Sequence, residues 1–345
     1  MADTEVDRWN AFVASHPFGQ ALATMCAKKW WQKTGWSLQC IALFENESIV
    51  GGVAIRTDKI PYLPWTLARV VTILLTNDDI VTKTKVLLDA AAQFACSQKA
   101  LQIEVGFGIL NGLEIDGINY TGQVQQGLRE SGYVACDKRL GTYLVRIDLD
   151  DEALLSSFVK KCRQNVRKAL KRGVTVSELR SPESISIFGK FHQEMISRKG
   201  LRNLHRITKE TYEGLRPLHD RGYVRLFAAY YEGQIYNMLL VDALGVPTCW
   251  MSATTPHAFE KGVPPTGQLL HYAVMQWFRA RGSQYFDFGG SPGPTPAKGH
   301  PNYTVWRFKY DFRGTYVSTI AFYLFWPSVK GKLLTSAGRL LRMPI

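Results

Sequence analysis

Two short runs late in the sequence carry the strongest local pattern. In Tyr285-Phe286-Asp287-Phe288-Gly289-Gly290-Ser291-Pro292-Gly293, a strand ends on Asp287 and a glycine-rich loop follows. In Trp306-Arg307-Phe308-Lys309-Tyr310-Asp311-Phe312-Arg313-Gly314, a lysine is set among aromatics. A lysine in such a setting can act as a desolvated point charge. A surface lysine snorkelling past core aromatics gives the same pattern, so the residues alone leave both readings open.

A second pattern is basic. Leu154, Leu155, Phe158, Val159, Cys162, Val166, Ala169 and Leu170 recur at three- and four-residue spacing and predict one amphipathic helix over 152–172. Lys160, Lys161, Arg163, Arg167, Lys168, Lys171 and Arg172 fill its other face with no acid among them. Like charges one turn apart repel, so an anion is expected to satisfy them. The run Met195 to Arg202 adds cations, Arg198 among them, and Arg206 and Tyr212 follow. Arginine forks match phosphate and carboxylate geometry, so this cluster suits a second anionic group. Glu260 to Leu270 is a glycine–proline loop opening a helix, whose first N–H groups face an anion readily.

The elements that must position these groups read as mixed α/β. In the first half, helices are predicted at 6–15 and 81–98, a hairpin at 38–44 and 48–55, and strands at 101–105 and 143–147. The second half repeats the order, with a hairpin of 224–231 and 234–243 and a strand at 248–253. A helix at 266–281 and a strand at 284–288 complete it. Two similar α/β domains follow, 1–148 and 149–316, with the tail 317–345 expected to pack back on the first.

Composition narrows the class. The chain has 345 residues, 46% hydrophobic and 21% charged, which excludes disorder and collagen. Its longest apolar stretch, Ile320 to Trp326, is too short to span a bilayer, and the acidic N-terminus lacks a secretory apolar region. A cytoplasmic monomer is expected. Six cysteines without a CxxC pair and seven scattered histidines point to structural thiols and no metal site. The net charge of +13 is uneven: residues 1–150 hold 14 basic and 16 acidic residues, residues 151–345 hold 28 and 13. A single-sign field of this kind draws polyanions.

Several of these runs together resemble one family. Arg163-Gln164-Asn165-Val166-Arg167-Lys168-Ala169 before Gly173-Val174, then Met195 to Gly200, Asp287-Phe288-Gly289-Gly290, and Phe308-Lys309 with Arg313-Gly314 are similar to the second domain of the FemABX aminoacyltransferases. His16-Pro17-Phe18-Gly19, Gly35-Trp36 and Ile49-Val50-Gly51-Gly52 resemble the first domain more loosely. The resemblance implies two acetyltransferase-like (GNAT) domains in tandem, here without the coiled-coil arm of some members. It implies transfer of an amino acid from aminoacyl-tRNA, a co-substrate, to the stem-peptide amine of a phosphorylated or lipid-linked muropeptide, with no cofactor.

By the same resemblance Lys309 stabilises the developing oxyanion, Phe308 holds it in place, and Asp287 accepts the amine proton or organises the loop. Arg198, Arg206, Tyr212 and Trp250 are the expected acceptor contacts. The family's Gln-Ser before a tryptophan is replaced by Ala23-Thr24, and Lys28, Lys29 or Lys33 can take the place of its phosphate-binding lysine only by a shift. Lys160, Arg163, Arg167, Lys168 and Lys171 are expected to meet tRNA phosphates. Three other readings are weighed. One is a GNAT enzyme gripping acyl-CoA at Gly262–Gly267, although a full Arg-x-x-Gly-x-Gly/Ala run is absent. Another is a tRNA-dependent ligase of a natural-product pathway. The last is a surface binder resting the 322–326 aromatics and Lys330, Lys332, Arg339 and Arg342 on anionic membrane.

Overall fold

The computed structural model describes residues 3–340 apart from 77, 107–108, 113, 116–117, 137–139, 201–206, 292 and 301. It divides into two compact units, one of residues 1–140 with 318–345, the other of residues 141–317.

The first unit opens with α1 (Asp3–Ser15) and the short α2 (Lys28–Lys33), followed by strands β1 (Trp36–Glu45), β2 (Ser48–Lys59) and β3 (Thr66–Leu75). Helix α3 (Ile80–Ser97) leads to β4 (Ala100–Val105). A small pair, β5 (Glu114–Ile115) and β6 (Ile118–Asn119), precedes α4 (Tyr120–Glu130) and β7 (Val134–Cys136). The second unit runs β8 (Gly141–Arg146), α5 (Asp151–Ser157), α6 (Lys160–Lys171), β9 (Thr175–Glu178), α7 (Ser184–Lys199), α8 (Lys209–Glu213) and α9 (Arg216–Asp220). It continues with β10 (Val224–Tyr231), β11 (Gln234–Asp242), β12 (Thr248–Thr254), α10 (Thr266–Arg279), β13 (Tyr285–Asp287), α11 (Tyr303–Tyr310) and β14 (Thr315–Ser318). The chain then supplies β15 (Phe322–Phe325) and α12 (Val329–Leu340).

The two main sheets share a plan. The first has strand order β1-β2-β3-β4-β15-β7 and the second β14-β8-β13-β12-β11-β10-β9. Each has an antiparallel hairpin, a third strand, a helix and then a parallel partner, β3 with β4 and β12 with β13. Both hairpins close with two residues at positive φ, Asn46 and Glu47 at 45° and 67°, Glu232 and Gly233 at 50° and 76°. That backbone matches the right-handed twist of the strands it joins.

Each sheet also takes in one antiparallel strand beyond its parallel pair. In the first it is β15, between β4 and β7; in the second it is β8, between β13 and β14. Here the structure corrects the expected boundary, moving it from 148/149 to 140/141. The reason is ladder pairing: Arg146, Val145 and Leu144 of β8 lie opposite Tyr285, Phe286 and Asp287. It also corrects the reading of 322–326 as a lipid-facing aromatic run. Phe322, Tyr323 and Leu324 are buried inside the first sheet.

The predicted single helix over 152–172 is two helices. Phe158 and Val159 are extended, with ψ of 161° and 149°, and the Val159 N–H donates to Asp311 O at 3.0 Å. Phe158 is thereby buried in the second unit's core beside Cys162, Val166 and Ala169, whereas Leu170, expected on the apolar stripe, is 52% exposed. The break leaves carbonyls at the end of α5, and the Arg163 guanidinium takes two of them, Ser156 O at 3.0 Å and Phe158 O at 2.7 Å. Arg163 is therefore a capping residue of the α5–α6 junction. Arg163→Ala should lower unfolding free energy by about 1.5–3 kcal/mol, as expected for hydrogen bonds to a charged group. Urea denaturation of the purified variant measures this, and unchanged stability would leave the arginine available for phosphate alone.

Candidate active site

The chemical groups of the second unit converge where β13 ends. β12 and β13 are parallel but share one ladder position, Thr248 with Asp287. Past it, β12 runs on while the other chain turns into Phe288-Gly289-Gly290. Gly289 has φ +69°, and a Cβ there would lie 2.6 Å from Cys249 O, so a side chain is excluded by both strain and contact.

The turn is held from two sides. Asp287 Oδ1 accepts the Gly289 N–H at 2.6 Å and the Thr142 hydroxyl, and the same hydroxyl lies 2.9 Å from Gly289 O. From α11, Lys309 Nζ donates to Gly289 O at 2.8 Å and Gly290 O at 2.6 Å. Two of the three ammonium hydrogens are thus engaged. The side chain is 9% exposed and Asp287 8%. Burial pushes the Asp287 carboxyl above the usual carboxylate range, against the opposing pull of Thr142, Gly289 and Lys309. Burial also pulls Lys309 below the usual ammonium range, against the opposing pull of Asp287.

Aromatic packing sets where the lysine stands. Phe308 lies 5.0 Å from the His271 ring and 5.4 Å from Phe312, and His271 stacks on Phe288 at 5.4 Å. His271 Nδ1 bonds Gly267 O at 2.9 Å, which puts the proton on that nitrogen, and burial lowers its pKa to about 4. On α11, Trp306 and Lys309 face inward three residues apart. The Trp306 indole N–H donates to the Tyr143 hydroxyl at 2.8 Å, and Tyr143 donates to Pro294 O at 2.5 Å. Beside this, the Thr266 hydroxyl at the head of α10 donates to Asn237 Oδ1, and Asn237 Nδ2 donates to Thr254 Oγ1 at 2.8 Å.

The expected site residues divide. Lys309, Phe308 and Asp287 come together. Arg198, exposed on the last turn of α7, donates to Thr254 O at 2.7 Å and so reaches the far end of β12, which also carries the half-buried Trp250. Tyr212 is placed in the core: it is 1% exposed, and its hydroxyl lies 2.6 Å from His192 Nδ1. Arg206 lies outside the described residues. Lys33 is exposed on α2 of the first unit. On α6, Arg167 pairs with Glu152 at 3.1 Å, while Lys160, Lys168 and Lys171 are exposed, their side chains making no ion pair or hydrogen bond among the described residues. The arginine of the helix's end, Arg172, bonds the Tyr231 hydroxyl at 2.8 Å and Gly262 O at 3.2 Å.

Sequence reading missed Thr142, Asn237 and His271. Asn237 was discoverable as the polar break before the apolar Met238 to Val241 of β11, and His271 as an imidazole on the buried face of α10. Nothing local marks Thr142, because its role exists only through the β8–β13 ladder.

A parallel strand pair meeting at one position, a clamped glycine turn and a buried lysine thus lie together in an acetyltransferase-like fold. The model of the acetyltransferase (GNAT) domain matches residues 156–303. The lipid II:glycine glycyltransferase of Staphylococcus saprophyticus subsp. saprophyticus is 25% identical over 376 residues, covering 90% of this chain and 88% of that protein. That of Staphylococcus aureus is 24% identical over 381 residues, with the same coverage. Among solved structures, that of FemX superposes with a TM-score of 0.79 at 21% identity, covering 96% of this chain and 97% of the other. The chain is therefore similar over most of its length to these glycyltransferases and shares the fold of FemX.

Lys309→Met should retain the fold while lowering turnover about a hundredfold or more, the usual loss when one oxyanion donor is removed. Steady-state kinetics beside circular dichroism would check it, and near-wild-type turnover would sink the catalytic assignment. A second expectation concerns pH. Burial lowers both His192 and His271 from 6.5 to about 4, so between these values the unfolded chain binds more protons than the folded one. Their contribution is full above 6.5 and is lost as pH falls toward about 4, with a slope of up to about 1.4 kcal/mol per pH unit for each. Urea midpoints across this range should show a shallower slope in His192→Gln than in wild type.

Proposed function

We propose that this enzyme transfers an amino acid from aminoacyl-tRNA to the stem-peptide lysine amine of a lipid-linked or nucleotide-linked muropeptide. The observation that carries the reading is the Lys309 ammonium, buried beside the open end of the β12–β13 pair with two hydrogens on Gly289 O and Gly290 O. Its third hydrogen is the donor for the carbonyl under attack. The names of the relatives, which act on lipid II and glycine, support the acceptor class and the kind of group transferred.

The chemistry asks little of the protein beyond placement and charge. The acceptor amine has an ordinary pKa of about 10.4 and must be neutral to attack. The C–N bond forms, the ester C–O bond breaks, and the amine proton ends on the departing ribose oxygen. Because the ester is already activated, no covalent enzyme intermediate is needed, and orientation with oxyanion stabilisation suffices. Asp287 serves by holding the turn: its Oδ1 is engaged by Thr142 and the Gly289 N–H. Arg198, at the end of β12, and Trp250, on that strand, serve as acceptor contacts.

The exposed lysines of α6 suit the tRNA backbone better than its arginines do, since Arg163 and Arg167 already have protein partners. Replacing Lys160, Lys168 and Lys171 together by glutamate should weaken tRNA binding. The substitutions should also flatten its salt dependence by roughly 0.7–0.9 in log–log slope for each phosphate that is no longer neutralised. Filter binding over a salt series reads both quantities. Incubation with labelled aminoacyl-tRNA pools and a lysine-containing muropeptide, with acetyl-CoA as the parallel donor, tests the reaction itself. Label transfer from acetyl-CoA alone would replace this reading with the acyl-CoA one.

A further inference from the structure

The outer face of α12 and the loop between β2 and β3 expose apolar side chains that packing in the first unit does not explain. On α12, Gly331 and Thr335 are buried, and a Cβ at Gly331 would meet Leu101 O of β4 at 2.4 Å, so this side of the helix is seated on the sheet. The opposite side carries Val329 at 78% and Leu333 at 67% exposure, one turn apart, with Ser336 following. At 100° per residue, Lys330 and Lys332 fall on either flank of that stripe.

The loop lies beside it. Lys330 Nζ stands 4.9 Å from the centroid of the Trp65 ring, and Lys332 Nζ 5.7 Å from that of Trp326. Between β2 and Trp65, Pro61-Tyr62-Leu63-Pro64 is exposed, with Tyr62 at 105% and Leu63 at 49%. The turn is tied by the Leu63 N–H on Ile60 O at 3.1 Å and the Ile60 N–H on Trp65 O at 3.0 Å. The loop thus presents Tyr62 and Leu63 from a closed turn. Residues 318–345 contain four cations and no acid.

We propose that this face, Val329 and Leu333 of α12 with Tyr62 and Leu63 of the adjoining loop, docks on an anionic phospholipid bilayer. Apolar side chains flanked by lysines fit the headgroup boundary: the stripe enters the acyl edge, the tyrosine settles at headgroup level, and the ammonium groups remain with the phosphates. The charge complementarity argues for lipid over a protein partner, because the lysines flank the apolar stripe on both sides and the segment carries no acid to oppose them. The surface is distinct from the 322–326 strand, whose first three residues are buried. A lipid-borne acceptor gives this face its purpose, and the inference rests on that reading in this respect.

The test is co-sedimentation of the full chain with vesicles of phosphatidylcholine alone or with added phosphatidylglycerol, neither containing any acceptor. Binding should require phosphatidylglycerol and fall with salt. Val329→Glu with Leu333→Glu should abolish it, and Tyr62→Ser with Leu63→Ser should weaken it. Lys330→Ser with Lys332→Ser should reduce the partition coefficient roughly thirtyfold. All these positions are exposed, so thermal unfolding of each variant should match wild type. Wild-type protein left in the supernatant of both vesicle types would overturn the proposal, as would variants that sediment like wild type. So would a lipid-free dimer dissociated by the glutamate pair without vesicle binding, which would make the face a contact between copies. Acceptor-free vesicles separate the two readings: failed transfer to a muropeptide leaves this result standing, and failed docking leaves the transfer assay standing.

Discussion

A buried ammonium needs oxygen around it, and the site of this enzyme is arranged to meet that need. Removing a lysine head from water is costly unless its hydrogens find acceptors. Here two are the carbonyls of Gly289 and Gly290, and a third, Asp287, acts from further off by charge. Those carbonyls can face the lysine because the turn has positive φ at Gly289 and is braced by Asp287 and Thr142. The lysine, the turn and the carboxyl are therefore one unit: each fixes the position of the next. Such preorganisation is what the proposed ester aminolysis requires, because charge appears at one oxygen and must be met without rearrangement.

The bracing depends on a strand from before the second hairpin. β8 pairs with β13 and brings Thr142 to Asp287, and the Phe288 N–H to Tyr143 O at 3.0 Å. In the first unit β15 takes the equivalent place between β4 and β7. The two sheets are thus completed in the same way by segments from different parts of the chain. In the second, the completing strand also supplies a residue to the site. The fold's closure and the site's rigidity have a common origin.

The basic character of the second half separates into two kinds of work. Arginines on and near α6 serve the fold: Arg163 caps the break between α5 and α6, Arg167 pairs with Glu152, and Arg172 joins Tyr231 and Gly262. Lys160, Lys168 and Lys171 are left to solvent. The division follows from chemistry, since a guanidinium can bridge two carbonyls in a fixed fork whereas an ammonium on a flexible stem loses more by being pinned. A count of charges alone does not distinguish these roles.

Several features were legible in the sequence because they depend on neighbours along the chain. The two hairpins, the helix over α10, the strand ending at Asp287 and the pairing of Phe308 with Lys309 all announce themselves through local spacing and turn residues. The family resemblance rested on the same short runs. Other features arise only from distant contacts. The split at Phe158–Val159 needs Asp311 O and a core pocket for the phenyl ring. The membership of β8 and β15 is set by ladder partners more than one hundred residues away in sequence. Tyr212 looked available as a binding residue and is instead closed over by α7 and paired with His192. What the sequence determined by itself was therefore the set of elements and the reactive residue types, since periodicity and turn chemistry are local. The tertiary structure alone decided which of those residues face one another, because burial and strand pairing are properties of the whole chain.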